Sequence, residues 1–215
     1  MNKFSTLLFI FLSINIFAQE NPEATKAVKD FSLKMQTVKT ISATFSFTLE
    51  NLQEKITDTH QGKIVAKGNK YLLELMGMEM YFDGQTKWQY IKEANEVTIS
   101  KYNSGDGGFL DDPTKLFKDY DKNFKSKFIG EYTEKNRTIY ELDFFPKDLN
   151  LPYSAVKLQF DKNTLEPVLI RYQGKDGNNY IIKVKTFKSN LPMRDERFTF
   201  EPEKHKGIEI IDMRK

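Results

Sequence analysis

Ile41-Ser42-Ala43-Thr44-Phe45-Ser46-Phe47-Thr48-Leu49-Glu50 alternates apolar and polar residues without a break. Side chains of an extended chain point to opposite faces in turn, so this run predicts a strand with one face buried and one in water. Shorter runs of the same kind follow at about 56–66, 70–76, 78–83, 86–91 and 95–102, with Asp83-Gly84 and Gly77 as turns between them. After Ser104 to Gly108, Asp112-Pro113 opens a short helix-like segment carrying Leu116, Phe117 and Tyr120. Strands resume at about 124–132, 137–145, 154–161, 166–173 and 178–187, and short ones are expected near 198–200 and 208–212. With 18 Phe and 10 Tyr against one Trp, the composition favours sheet.

Upstream of the first strand the period changes. Ala24, Ala27, Val28, Phe31, Met35 and Val38 recur at helical spacing, opposite Lys26, Lys29, Asp30, Lys34 and Lys39. Asn21 suits the N-cap and Pro22 the first helical position. This amphipathic helix needs an apolar surface to lie on. About eleven antiparallel strands joined by short turns would curl into a barrel or half-barrel, and the helical pieces would cover its open face. A curled sheet lined with Phe, Leu, Met and Tyr is either packed solid or encloses an apolar cavity.

Met1 to Ala18 read as a cleavable signal peptide. Lys3 supplies the positive n-region, Phe4 to Phe17 the apolar stretch, and Ala18 the small residue before Gln19. The stretch is shorter than the ~20 apolar residues of a membrane span. The remaining residues, 19–215, are expected to form one domain. No cysteine is present, so neither a disulfide nor an acylated cysteine after the signal is available. The net charge of +3 is small, and no basic stripe with interleaved aromatics occurs, which excludes a nucleic-acid partner.

Catalytic groupings are missing as well. His60 and His205 are far apart and are expected at the surface, no nucleophile-elbow pattern occurs, and no spacing suits a metal. Asp106, Asp111 and Asp112 do not follow a calcium-loop pattern. Neither an enzyme nor a cofactor or metal site is expected.

Between 61 and 99 the chain reads Gln61-Gly62-Lys63-Ile64, Lys67-Gly68-Asn69-Lys70-Tyr71, Asp83-Gly84-Gln85-Thr86-Lys87-Trp88-Gln89-Tyr90 and Glu96-Val97-Thr98-Ile99. Near the end come Leu191-Pro192, Phe198-Thr199-Phe200-Glu201-Pro202 and Gly207-Ile208-Glu209-Ile210-Ile211. In order and spacing this succession resembles LolA, the periplasmic carrier that moves lipoproteins to the outer membrane. The resemblance implies an unclosed antiparallel β-barrel with a helical lid, holding acyl chains in its interior. It implies acylated lipoproteins as cargo, an inner-membrane lipoprotein-releasing ABC transporter and an outer-membrane acceptor as partners, and a soluble periplasmic monomer. The missing cysteine argues against LolB, the similar but lipid-anchored acceptor.

On that resemblance the cavity wall is assigned to Phe45, Phe47, Leu49, Tyr71, Leu73 and Leu75, which parity sets on shared faces, together with Met78, Met80 and Trp88. The methionines could equally fill gaps in a core, and Trp88 could be a packed hairpin aromatic. Val28, Phe31 and Met35 of the first helix, with Leu116 and Phe117, would form the lid. The family's lid-latching Arg falls at Lys67, which keeps the charge without the planar fork of donors, and the Pro after it is Gly68. Two other readings remain: a carrier of another lipid or hydrophobic precursor, and an envelope sensor of similar fold that binds a regulatory protein.

Overall fold

The computed structural model describes residues 22–102, 112–114 and 120–214. The expected signal peptide, Asn21, Asp106 and Asp111, and the lid residues Leu116 and Phe117 lie outside the described residues. Helix α1 (Pro22–Thr37) is followed by β1 (Thr40–Asn51), β2 (Ile56–Lys67), β3 (Lys70–Leu75), β4 (Met78–Phe82), β5 (Thr86–Ile91) and β6 (Glu96–Lys101). The one-turn helix α2 (Tyr120–Asn123) leads into β7 (Phe124–Glu134), β8 (Arg137–Pro146), β9 (Tyr153–Asp161), β10 (Pro167–Gly174), β11 (Asn178–Ser189) and β12 (Glu209–Asp212).

Among the described residues, the twelve strands form one sheet in the order β12-β6-β5-β4-β3-β2-β1-β11-β10-β9-β8-β7. Its edges, β12 and β7, are not paired with each other, so the barrel is unclosed. Within β1 to β6 and within β7 to β11, sequence-adjacent strands pair antiparallel, and the two halves of the chain join in the middle, where β1 pairs with β11 from Ile41↔Ser189 to Asn51↔Asn178.

One strand departs from the antiparallel expectation. β12 runs parallel to β6, from Glu209↔Glu96 to Asp212↔Ile99. β6 and β12 lie far apart in the chain, and the crossover of residues 190–208 carries it from β11, in the middle of the sheet, to this edge. This crossover also corrects the strand expected near 198–200. Asp195–Phe198 forms a 3-10 turn instead, and Pro202–Lys204 another. Phe198 and Phe200 are buried, so their apolar signal reports packing of the crossover against the sheet and not a ladder position.

Register places the alternating residues of β1 to β4 on a common face. Phe45 is opposite Gly62, and Ala43 opposite Ile64. Ile64 is opposite Leu73 and Ala66 opposite Tyr71. Tyr71 then meets Phe82, Leu73 meets Met80, and Leu75 meets Met78. The same face continues across the central seam through Phe47↔Ile182 and Leu49↔Tyr180. It carries the main apolar cluster, against which α1 packs its buried stripe.

Candidate functional site

Phe45, Phe47, Tyr71 and Leu73 are buried together in the main cluster, and Leu49, Leu75 and Met80 pack against it half-buried. Met78 sits at the rim, opposite Leu75, where Gln89 Nε2 reaches its sulfur at 3.3 Å. Gly62, Leu75, Met76 and Met78 border a surface hollow of about 290 Å³ there, together with Lys63, Glu74 and Lys92. The β3–β4 hairpin turns through Met76 (φ 54°) and Gly77 (φ 76°), the pair of positive φ values that two-residue hairpins require.

The wall assigned from sequence is only half of this face. β8 to β11 contribute the other half, including Leu142, Phe144, Val156, Leu158, Ile170 and Ile182. Their alternation carries the same signal as that of β1, but the family motifs, which lie mostly in the first half of the chain, do not point to it.

Trp88 does not belong to this wall. It pairs with Tyr81 of β4 and Ile99 of β6. Tyr81 lies between Met80 and Phe82, whose side chains face inward, so parity turns Tyr81 and Trp88 to the opposite face. There Trp88, Tyr90, Val97, Ile99 and Phe200 form a second cluster. The crossover thus covers an apolar outer face on β4 to β6. His205 belongs to the same cover. Its ring lies 4.7 Å from that of Phe200 and 4.6 Å from that of Tyr90. His60 is half-buried instead of standing free at the surface: it is opposite Phe47 in the β1–β2 ladder and pairs with Asp58 at 2.8 Å.

The lid helix is seated through aromatic contacts. Phe31, 1% exposed, stacks on Phe160 at 4.8 Å and meets Tyr120 edge-on at 6.1 Å. Val28 and Met35 are buried on the same stripe. Polar ties follow just beyond the helix's C-terminal end. Gly68 N–H donates to the Lys39 carbonyl at 3.3 Å. Lys39 N–H donates to Asn190 Oδ1 at 2.9 Å. In the first turn, Tyr140 Oη donates to Glu23 Oε1 at 3.4 Å. Beneath the C-terminal end, Met35, Val38, Ile41, Ala66 and Thr114 enclose a cavity of about 20 Å³, room for about one water.

Lys67 does not latch this helix. Its Nζ donates to Asp195 Oδ1 at 2.7 Å and to the Met193 carbonyl at 3.2 Å, and Lys70 Nζ donates to Asp195 Oδ2 at 2.7 Å. On β2 the even-numbered Gly62, Ile64 and Ala66 face inward, so Lys67 points away from α1 and clamps the crossover. Hydrogen bonds from the two ammonium groups hold the Asp195 carboxyl down at about 2. A buried polar tie between a helical element and the sheet lies elsewhere: the hydroxyls of Tyr120 and Tyr172 share a hydrogen bond, and burial pushes both phenols up. Tyr120 packs on Phe144 at 4.8 Å, and Tyr172 meets Tyr153 edge-on at 5.0 Å.

This geometry, an unclosed sheet with an apolar inner face and a helix laid across it, goes with a match to one family. The family model "Outer membrane lipoprotein carrier protein LolA" covers residues 36–201. The chain belongs to the LolA family. It is 21% identical to an outer-membrane lipoprotein carrier protein of Legionella pneumophila (strain Corby) over 215 residues, 98% of this chain and 99% of that one. It is 26% identical to an uncharacterized protein of Methanocaldococcus jannaschii over 207 residues, 94% of this chain, and spans 59% of that relative's length. An uncharacterized conserved protein of Thermus thermophilus has a similar fold, with a TM-score of 0.55 at 14% identity, covering 87% of this chain and 98% of that one. Of the residues singled out on the resemblance, Trp88 serves the outer cluster and Lys67, the latch candidate, serves the crossover. Among the described residues, no helix is long and apolar enough to cross a membrane.

Proposed function

We propose that this chain is a periplasmic carrier that takes the acyl chains of lipoproteins into its apolar interior and ferries them from the inner to the outer membrane. The observation that carries the reading is the buried face of α1, seated by aromatic contacts on the apolar inner face of a sheet whose edges do not meet. Acyl chains in water cost roughly 0.8 kcal/mol per CH₂, so cargo leaving a bilayer needs such an enclosure. Phe45, Phe47, Leu49, Tyr71, Leu73, Leu75 and Met80 would contact the chains, with Met78 at the rim, where a flexible thioether adapts to chains of different shape.

The lid sets the affinity. With α1 packed down, its stripe occupies the apolar face, and cargo has to displace it. The free energy of opening then subtracts from the affinity, which makes release possible. In this reading the chain is exported by Met1 to Ala18, works as a monomer without catalysis, receives cargo from a lipoprotein-releasing ABC transporter and delivers it to an outer-membrane acceptor.

Binding of a synthetic triacylated lipopeptide tests the reading. The full-length mature chain should bind the lipopeptide with an affinity that rises with acyl length, and should ignore the same peptide without acyl groups. Equal binding of the two peptides, or of neither, would overturn it. Retention of a regulatory protein in place of any acylated molecule would favour the sensor reading.

A further inference from the structure

Val28, Ser32 and Met35 stand in line on the buried side of α1, four and three residues apart. Val28 and Met35 belong to the main apolar cluster. Ser32, between them, is only 6% exposed. A serine inside a helix commonly turns its hydroxyl back onto the carbonyl four residues earlier, which here is that of Val28. Ser32 Oγ does not: it makes no hydrogen bond among the described residues. Folded chains leave few buried hydroxyls in this condition, because the lost hydration is not replaced. The hydroxyls of Tyr120 and Tyr172 differ in this respect, since they engage each other.

An acyl chain entering this interior brings one polar group with it, the carbonyl of the ester or amide that joins it to the rest of the molecule. A carbonyl oxygen only accepts hydrogen bonds, and a serine hydroxyl can donate one. We propose that Ser32 is the polar contact of the interior, donating from Oγ to the ester or amide carbonyl of a bound acyl chain. The proposal rests on reading the interior as an acyl-chain site and adds a selection rule to it. Acyl chains are preferred to plain alkyl chains of equal length, and the serine lacks a partner only while the site is empty.

Methyl dodecanoate and dodecyl methyl ether, similar in length but differing in the carbonyl, separate the two ideas when titrated by displacement of an apolar fluorescent dye. The wild-type chain should bind the ester about tenfold more tightly than the ether, the scale of one hydrogen bond in an apolar site. Ser32→Ala should abolish that preference, change ether binding by less than about twofold, and unfold without ligand at the same or higher temperature. A preference that survives in Ser32→Ala, an equal loss of both probes, or a lower unfolding temperature would overturn the Ser32 assignment alone. A wild-type chain that binds neither probe would overturn the acyl-chain reading and the assignment with it.

Discussion

The ring of Phe45 lies across Gly62 on the neighbouring strand, so closely that a Cβ built on Gly62 would come within 2.4 Å of Phe45 Cζ. The two residues are direct partners in the β1–β2 ladder. Glycine stands in this strand because the aromatic ring of the inner face occupies the space a side chain would need. Gly62→Ala is expected to force the ring out of place and to destabilise the fold by about 1–3 kcal/mol in urea unfolding. Phe45→Leu in the same background should cost less than the sum of the two single changes. Simple additivity would show that the ring is not what excludes the methyl group.

The two apolar residues of α1 on either side of Ser32 predict opposite outcomes. Phe31 is 1% exposed and stacked on Phe160, whereas Leu33 is 50% exposed. Phe31→Ala should destabilise by about 3–5 kcal/mol through lost burial and the cavity left behind. Leu33→Ala should stay within about 0.5 kcal/mol. Denaturant titration of the two variants decides whether α1 is seated by its stripe, and similar costs would refute it.

Tyr172→Phe removes the buried hydroxyl with which Tyr120 is bonded. The cost expected is about 1–3 kcal/mol, because Tyr120 keeps its polar group and loses that partner. Removing both hydroxyls, in Tyr120→Phe with Tyr172→Phe, should recover part of the loss. A double variant as unstable as the sum of the singles would mean that the two hydroxyls do not depend on each other.

Asp195 supplies a pH dependence. Hydrogen bonds from Lys67 and Lys70 lower its pKa from 3.8 to about 2. A carboxyl depressed on folding adds stability that is present above its unfolded pKa and lost as pH falls through its folded pKa. Compared with Asp195→Asn, the wild-type chain should therefore be favoured above about pH 4, and the difference should shrink steadily from there to about pH 2. Unfolding free energies of both proteins across that window check it. A difference that stays constant would rule out the paired carboxylate.

Lys67 is expected to act on the crossover and not on the helix. In Lys67→Ala, trypsin should cleave faster after Arg194 and Arg197, while amide exchange along α1 should match the wild-type rate. Faster exchange in α1 would restore the latch that the position of Lys67 in the family pattern implies.

How much of this was legible in the sequence depends on whether the deciding partner was local. The alternation from Ile41 to Glu50 identifies β1 because one face is buried and the other wet, and the α1 stripe is legible for the same reason. The hairpins of β2 to β6 follow from turns two to four residues long. Trp88 misled because parity within a strand says which residues share a face and not which face that is. The cover on its side arrives from Phe200, more than a hundred residues later. Phe198 and Phe200 looked like strand residues because buried aromatics signal in the same way in a turn that packs. Lys67 was placed by resemblance, whereas its outward direction follows from the inward glycine at 62 and the two-residue period. Ser32 bears no local mark at all, since only the surrounding burial distinguishes it from a solvated helix serine.

The seam at which β1 meets β11 governs how this chain can fold. Ile41 finds its partner at Ser189, so the central pairing waits for nearly the whole chain, and such non-local closure is slow. Until then the hairpins of the first half can form alone, with β1 as an exposed edge carrying Phe45 and Phe47. That interval is when the chain is most open to aggregation. Truncation anywhere before β11 removes more than the missing strands, because it leaves the middle of the sheet as its margin.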